Sequence, residues 1–171
     1  MTIVKGPDND KEAVIRRMID EHRVSLTRLC YLYLHDVQLA EDAVQETFLK
    51  AYRTLERFRG DASAKTWLSR IAMRTCCDMR RTFWFRRVDR CVTPEMLPEG
   101  AAEADEDETA LTLAVMNLPQ KEREAVLLYY YQDMNVSEIA KALGVTQPTV
   151  SYRLQKARER LHEELEGREE P

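Results

Sequence analysis

The chain has 171 residues, 44% of them hydrophobic and 33% charged, with a formal net charge of −4. That length suits one medium or two small domains, each with a core under a heavily charged surface. Only five Gly and six Pro occur, and Pro94, Pro98 and Pro119 crowd into one stretch, so composition favours long helices over a turn-rich β sandwich. No run approaches the roughly 20 apolar residues of a bilayer span. The N-terminus lacks the basic-then-apolar order of a secretory signal, so the expectation is a cytoplasmic protein without direct membrane insertion.

Cys30, Cys76, Cys77 and Cys91 show no Cys-x-x-Cys spacing, and His22, His35 and His162 form no metal pair. Reduced, mostly buried thiols are expected, with no metal site. Walker, Gly-x-Gly-x-x-Gly and Gly-x-Ser-x-Gly patterns are absent, so neither a cofactor nor a catalytic residue is expected.

Residues 1–10 carry no periodicity. From Glu12 to Leu34, apolar positions recur three or four apart (Val14, Ile15, Met18, Ile19, Leu26, Leu29, Cys30, Leu34), an amphipathic helix that His35-Asp36 breaks. A second helix is expected from Leu39 to Arg57, with Ala40, Ala43, Val44, Thr47, Phe48, Ala51 and Leu55 inward and Glu41, Asp42, Gln45, Glu46 and Lys50 elsewhere. Phe58 to Ser63 reads as a loop in which Gly60 suits a helix C-terminus and Asp61 or Ser63 the next N-cap. A third helix follows from Ala64 to Phe83, with Trp67, Leu68, Ile71, Ala72 and Thr75 on neighbouring faces.

Charge is then blocked. Residues 65–90 hold eight basic side chains against two acidic ones, a net +6, whereas residues 92–110 hold seven acidic side chains and no basic one. Blocks of this kind suit partners of opposite field. Residues 86–106 lack a helical stripe and read as a linker. Just before it, Phe83-Trp84-Phe85 is an aromatic cluster suited to capping a core or meeting a regulator.

Beyond the linker, a short helix near Asp107–Asn117 precedes one from Pro119 to Gln132. Asn135 with Glu138 forms a capping-box pattern, and Val136, Ile139, Ala140 and Leu143 face inward. Gly144 permits a tight turn. Thr146 can cap the next helix, whose stripe is Val150, Leu154, Ala157 and Leu161, with Pro148 in its first turn. This is helix–turn–helix spacing, the unit that places its second helix in a DNA major groove. The outer face offers Gln147, Ser151, Tyr152, Gln155 and Lys156 beside Arg153, Arg158 and Arg160, groups able to contact base edges and phosphates.

The run from Ala40 to Arg53, with Phe58-Arg59-Gly60-Asp61 and Thr66-Trp67-Leu68-Ser69-Arg70-Ile71-Ala72, resembles region 2 of the extracytoplasmic-function sigma factors, in the sigma-70 family of bacterial initiation factors. Leu118-Pro119, Ser137-Glu138-Ile139-Ala140, Leu143-Gly144-Val145 and Thr149-Val150, then Arg153-Leu154, Ala157-Arg158 and Arg160-Leu161, resemble region 4. The resemblance implies an all-α chain of two small helical domains, region 2 over residues 11–85 and a helix-turn-helix region 4 over 107–166, joined by a flexible acidic linker over 86–106. It implies that core RNA polymerase, through its β′ clamp helices and β flap, and promoter DNA are partners, with an anti-sigma factor as regulator.

Residue by residue, it implies polymerase binding by Asp42, Gln45, Glu46, Phe48, Leu49 and Tyr52. It implies melted −10 DNA binding by Phe58, Arg59, Trp67, Arg70, Arg74, Arg80 and Arg81, with bases extruded and phosphates met by cations; Trp67 suits the core equally well. It implies −35 duplex binding by Gln147, Thr149, Ser151, Tyr152, Arg153, Gln155, Lys156 and Arg158. The family often has Asn at Arg74 and a basic residue at Ser151, so promoter sequence does not carry over. The linker is expected to thread towards the RNA exit path. The alternative reading is a stand-alone helix-turn-helix regulator, which leaves the region 2 pattern unexplained. An enzyme built on Glu41, Asp42 and Glu46 lacks a histidine to complete a metal set.

Overall fold

A computed structural model describes residues 7–58, 60–83 and 106–167. Its elements, in order, are α1 (Pro7–Leu34), α2 (Val37–Thr54), a 3-10 turn (Leu55–Arg57), α3 (Ala64–Phe83), α4 (Glu106–Asn117), α5 (Gln120–Val126) running into a π-helical turn (Leu127–Tyr131), α6 (Val136–Leu143) and α7 (Gln147–Glu166). No strand occurs among the described residues. Among the described residues no helix is long and apolar enough to cross a membrane.

Residues 7–10, expected to be irregular, are helical: α1 starts at Pro7, whose fixed φ and missing N–H suit a first turn. His35 ends α1 in the left-handed region at φ 59, with its N–H still bonded to Tyr31 O at 2.8 Å. The next residue, Asp36, caps α2 by accepting from Leu39 N–H at 3.0 Å. The break expected at His35-Asp36 is thus a cap-to-cap joint of two residues. In α2, Ala40, Ala43, Val44, Thr47, Phe48 and Ala51 are buried. The second helix stops at Thr54, short of the expected Arg57, because residues 55–57 tighten into the 3-10 turn. Gly60 is left-handed at φ 77, and of the two candidate caps Ser63 is used, its Oγ accepting from Thr66 N–H at 3.0 Å. Leu68, Ala72, Met73 and Cys76 of α3 complete this part of the core.

In the second half, Pro119 is the N-cap of α5 and its carbonyl accepts from the N–H groups of Glu122 and Arg123. The helix expected over 119–132 changes pitch at Leu127. The wider π turn keeps Leu127 and Leu128 fully buried while Tyr130 is 52% exposed. Both arms of the expected capping box are present: Glu138 N–H donates to Asn135 Oδ1 and Asn135 N–H to Glu138 Oε2, each at 2.9 Å. Gly144 sits at φ 66, the conformation that closes a helix with a left-handed residue. Thr146 caps α7, Pro148 falls in its first turn, and Val150, Leu154 and Ala157 are buried.

The two helical groups are packed together. α1 meets α4 and the π turn, and α3 meets α6. Leu32 and Tyr33 of α1, outside the expected stripe, are 2% and 1% exposed. Tyr33 Oη bonds Gln120 and Glu124 of the second half and lies 3.3 Å from Cys77 Sγ on α3, so it sits where the two helical groups meet. The Phe83-Trp84-Phe85 cluster beyond Phe83, Cys91 and the acidic linker lie outside the described residues, apart from its last residue, Glu106, which opens α4.

Candidate functional site

Three surfaces gather the residues singled out by sequence. The first is a groove of about 660 Å³ between α1 and α2, lined by Ile15, Ile19, Arg23, Thr27, Glu41, Val44, Gln45, Phe48, Leu49 and Tyr52. Of the residues expected to dock, Gln45, Phe48, Leu49 and Tyr52 line the groove and Asp42 and Glu46 do not; Asp42 and Gln45 are exposed, and Leu49 and Tyr52 show 51% and 36% of their surface. Glu46 is half-buried and pairs with Lys50 at 3.7 Å. Phe48 differs from these neighbours: at 8% exposure it is a core residue forming the groove floor. Apolar bulk ringed by amides and carboxylates is the composition of a protein interface.

The second surface is the loop before α3 and that helix itself. The rings of Phe58 and Trp67 lie 4.8 Å apart, tilted by 32°. Both are half-buried and pack on the core edge. Arg59 lies outside the described residues. Arg70 is half-buried and Arg74 is exposed. Arg80 sits with its guanidinium 5.8 Å from the Tyr33 ring centre. Arg81 pairs with Asp78 at 2.6 Å, a surface pair of adjacent turns. Along the same helix Lys65 pairs with Asp133 at 2.5 Å, and Ser69 bonds Gln132 at 3.0 Å, so part of α3 is covered by the second half of the chain.

The third surface is the outer face of α7. Gln147, Ser151, Tyr152 and Gln155 are exposed, Tyr152 to 61%. Lys156 and Gln155 both donate to Glu159, at 2.6 and 3.0 Å. The contact holds the Glu159 carboxyl below its ordinary range and the Lys156 ammonium above its own. Thr149 spends its hydroxyl on Thr146, 2.8 Å away, inside the helix cap. Arg158 donates to Tyr130 Oη at 2.8 Å and lies 5.8 Å from the ring centres of Tyr129 and Tyr130. Arg153, also on α7, is 14% exposed and lies 3.9 Å from Glu124 on α5. Sequence reasoning did not single out Glu124, Tyr130 or Glu159. Only Glu159 had a local signal, three and four residues after Lys156 and Gln155 on one helix face.

A helical groove with exposed apolar bulk, a basic helix led by an aromatic pair, and a helix-turn-helix unit with a polar outer face together define a DNA-binding protein with a protein-docking surface. Residues 18–86 match the family model for sigma-70 region 2, and residues 108–161 match that for sigma-70 region 4. The chain is 30% identical to the extracytoplasmic-function RNA polymerase sigma factor SigW of Bacillus subtilis, over 95% of this chain and 92% of that one. It is 32% identical to the sigma factor SigL of Mycobacterium tuberculosis, over 90% of each. Among solved structures it is similar to CnrH bound to the cytosolic domain of CnrY, with a TM-score of 0.68 and 25% identity, covering 91% of this chain and 90% of that one. The sigma factor RpoE of Bartonella quintana, solved with the anti-sigma factor NepR, shares the fold at a TM-score of 0.67 and 22% identity, covering 88% and 98% of the two chains. The chain belongs to the extracytoplasmic-function sigma factors of the sigma-70 family.

Proposed function

We propose that the chain binds core RNA polymerase and directs it to promoters by holding −35 duplex on α7 and the melted −10 element on the loop before α3 and on α3. The observation that carries this reading is that one chain presents both an exposed protein-docking groove and a helix-turn-helix face. A regulator binding duplex DNA alone has no use for the former. In this reading residues 11–85 act as region 2, 107–166 as region 4 and 86–106 as the acidic linker between them. Asp42, Gln45, Leu49 and Tyr52 meet the β′ clamp helices above the Phe48 floor, with Glu46 at the rim.

Gln147, Ser151, Tyr152 and Gln155 read base edges, and Lys156 leaves Glu159 for a phosphate. Arg158 reaches phosphate from its tyrosine cradle, whereas Arg153 and Thr149 fix the pose of α7 from within. Phe58 lines the pocket of an extruded base, and Trp67 supports Phe58. Arg70, Arg74, Arg80 and Arg81 supply charge along the strand. Two solved relatives are held by partner proteins, and the same groove region suits an anti-sigma factor acting on this chain from the cytoplasm. The factor carries out no catalysis of its own.

Transcription in vitro with bacterial core polymerase, this chain and fragmented host DNA tests the reading. RNA 5′ ends should map to discrete starts preceded by shared −35 and −10 elements, absent without the chain. Tight duplex binding by the chain alone with no starts would indicate the regulator instead.

A further inference from the structure

Glu159 is the only acidic residue between Gln147 and His162. A carboxylate on a DNA-reading helix is repelled by phosphates, so its place there needs a compensating role. It ends the exposed row Gln147, Ser151, Gln155, Glu159, spaced four apart along the outer face of α7. Val150, Leu154 and Ala157 are buried on the opposite side and hold that row outward. The two carboxylate oxygens are divided between two neighbours. Oε1 accepts from Gln155 Nε2 at 3.0 Å, and Oε2 accepts from Lys156 Nζ at 2.6 Å.

We propose, on the sigma-factor reading above, that Glu159 is a positioning residue that holds the Gln155 amide in the orientation that reads adenine at one position of the −35 element. A primary amide has one acceptor oxygen and two N–H donors, whereas an ionised carboxylate only accepts. The bonds from Lys156 and Gln155 hold the Glu159 carboxyl below its ordinary range, so it is ionised at neutral pH. The amide must then turn its nitrogen towards Glu159. Exchanging oxygen and nitrogen would set two acceptors against each other with no proton between them.

With one N–H spent on Glu159, the amide has one acceptor and one donor left for a base. Adenine presents the complement in the major groove, the N6 amino donor and the N7 acceptor. Guanine presents two acceptors, N7 and O6, and one of them meets the amide oxygen. Cytosine and thymine each offer half of the match. Binding to DNA strengthens the arrangement. The Lys156 ammonium moves to a phosphate, and the Glu159 charge then acts on the amide alone. The groove also excludes part of the water, which makes a charge-assisted bond stronger.

The test is transcription in vitro with core polymerase, the full chain and a promoter library randomised across the −35 element, each template carrying a transcribed barcode. The position read by Gln155 is the one whose base preference Gln155→Ala abolishes, and wild type should favour adenine there. Glu159→Ala and the isosteric Glu159→Gln should each lower the adenine-to-guanine ratio at that position about threefold or more, with preferences elsewhere unchanged. Lys156→Met should lower output from all templates alike. A ratio within one library does not depend on how much protein is folded, so lost stability does not imitate the effect.

A wild-type preference for any base other than adenine at that position overturns the assignment, as does a Gln155→Ala variant that changes no base preference. An undiminished ratio in either Glu159 variant overturns it, whatever the total output. An equal shift in Lys156→Met does so too, because the effect then runs through the ammonium. In each of these cases the sigma-factor reading stands. No initiation by wild type on any template overturns the sigma-factor reading, and the role of Glu159 with it.

Discussion

Arg153 Nη1 lies 3.9 Å from Glu124 Oε2, with both side chains largely enclosed between α7 and α5, at 14% and 10% exposure. A pair so placed fixes the angle at which the recognition helix leaves the rest of its unit. Removing Arg153 takes the cation away from Glu124, whose Oε1 keeps its bonds from Tyr33 and Gln120, and costs about 2 kcal/mol after allowance for those bonds and for partial solvent contact. Arg153→Ala should therefore lower unfolding stability by that order in urea titrations. A solvent-facing DNA contact would change it by less than about 0.5 kcal/mol. A neutral effect on stability with weakened promoter binding would return Arg153 to the DNA-reading set.

Gly144 is needed for its backbone. A Cβ placed there meets nothing within 4 Å, so space does not exclude a side chain, yet φ is +66. Gly144→Ala should destabilise by about 1–2 kcal/mol, the cost of a left-handed L-residue. Gly144→Asn should lose less, because Asn tolerates that region. Thermal melts of the two variants side by side check the ranking.

The α1–α2 groove allows docking to be separated from folding. Leu49 is 51% exposed, so Leu49→Arg should leave the melting temperature nearly unchanged, within about 0.5 kcal/mol in stability. If this leucine anchors the polymerase interface, affinity for core should fall tenfold or more, on the scale of a central contact. Competition for core between variant and wild type measures it. Phe48→Ala, by contrast, should unfold the region through its core cavity.

Trp67 packs on the core edge beside Phe58. Trp67→Ala should cost about 2–3 kcal/mol, somewhat under the usual loss for a fully buried aromatic, because it is half-buried. Phe58→Ala should cost less stability and more initiation, read as slower opening of a promoter labelled with a fluorescent base near −10. Equal effects from both variants would assign the two rings the same structural role.

Alkaline pH should weaken the fold. The hydrogen bond with Cys30, and then burial, raise the Cys76 thiol above its ordinary 9.0, and burial raises the Tyr33 phenol above 10.0. The folded chain therefore keeps these protons when the unfolded chain has lost them. Their contribution is fully present below pH 9.0 and is lost as pH rises through and beyond that value, by about 1.4 kcal/mol per pH unit for each group past its unfolded pKa. Urea midpoints should hold up to about pH 9 and fall from there towards about pH 10.5. Cys76→Ala should flatten the first part of that decline, whatever its effect on stability at neutral pH. The same burial predicts slow alkylation of Cys76 in the native chain and rapid alkylation once it is unfolded.

Local chemistry was legible in the sequence wherever neighbours along the chain decide the outcome. The alternation of Ala40, Ala43, Val44, Thr47, Phe48 and Ala51 fixed the buried face of α2, because a helix's own period selects that face. The Asn135–Glu138 box and the Gly144 turn were readable because each needs only three or four adjacent residues. The helix-turn-helix face followed from these, whereas the α1–α2 groove came only with the docking of the two helices. The switch to π pitch at Leu127 had no local sign, since Leu-Leu-Tyr-Tyr-Tyr fits an α-helix as well.

Contacts between distant segments were decided by the tertiary structure. Tyr33 lies off the expected apolar stripe of α1, and its hydroxyl finds partners on both α3 (Cys77) and α5 (Gln120 and Glu124) only where the two helical groups dock. Arg153 and Arg158, equally basic in sequence, part company because Glu124 and Tyr130, more than 25 residues away, enclose one and cradle the other. Helical periodicity and capping are short-range and written along the chain. The partner of a buried charge or hydroxyl is set by which helices dock, and that depends on the packing of the whole molecule.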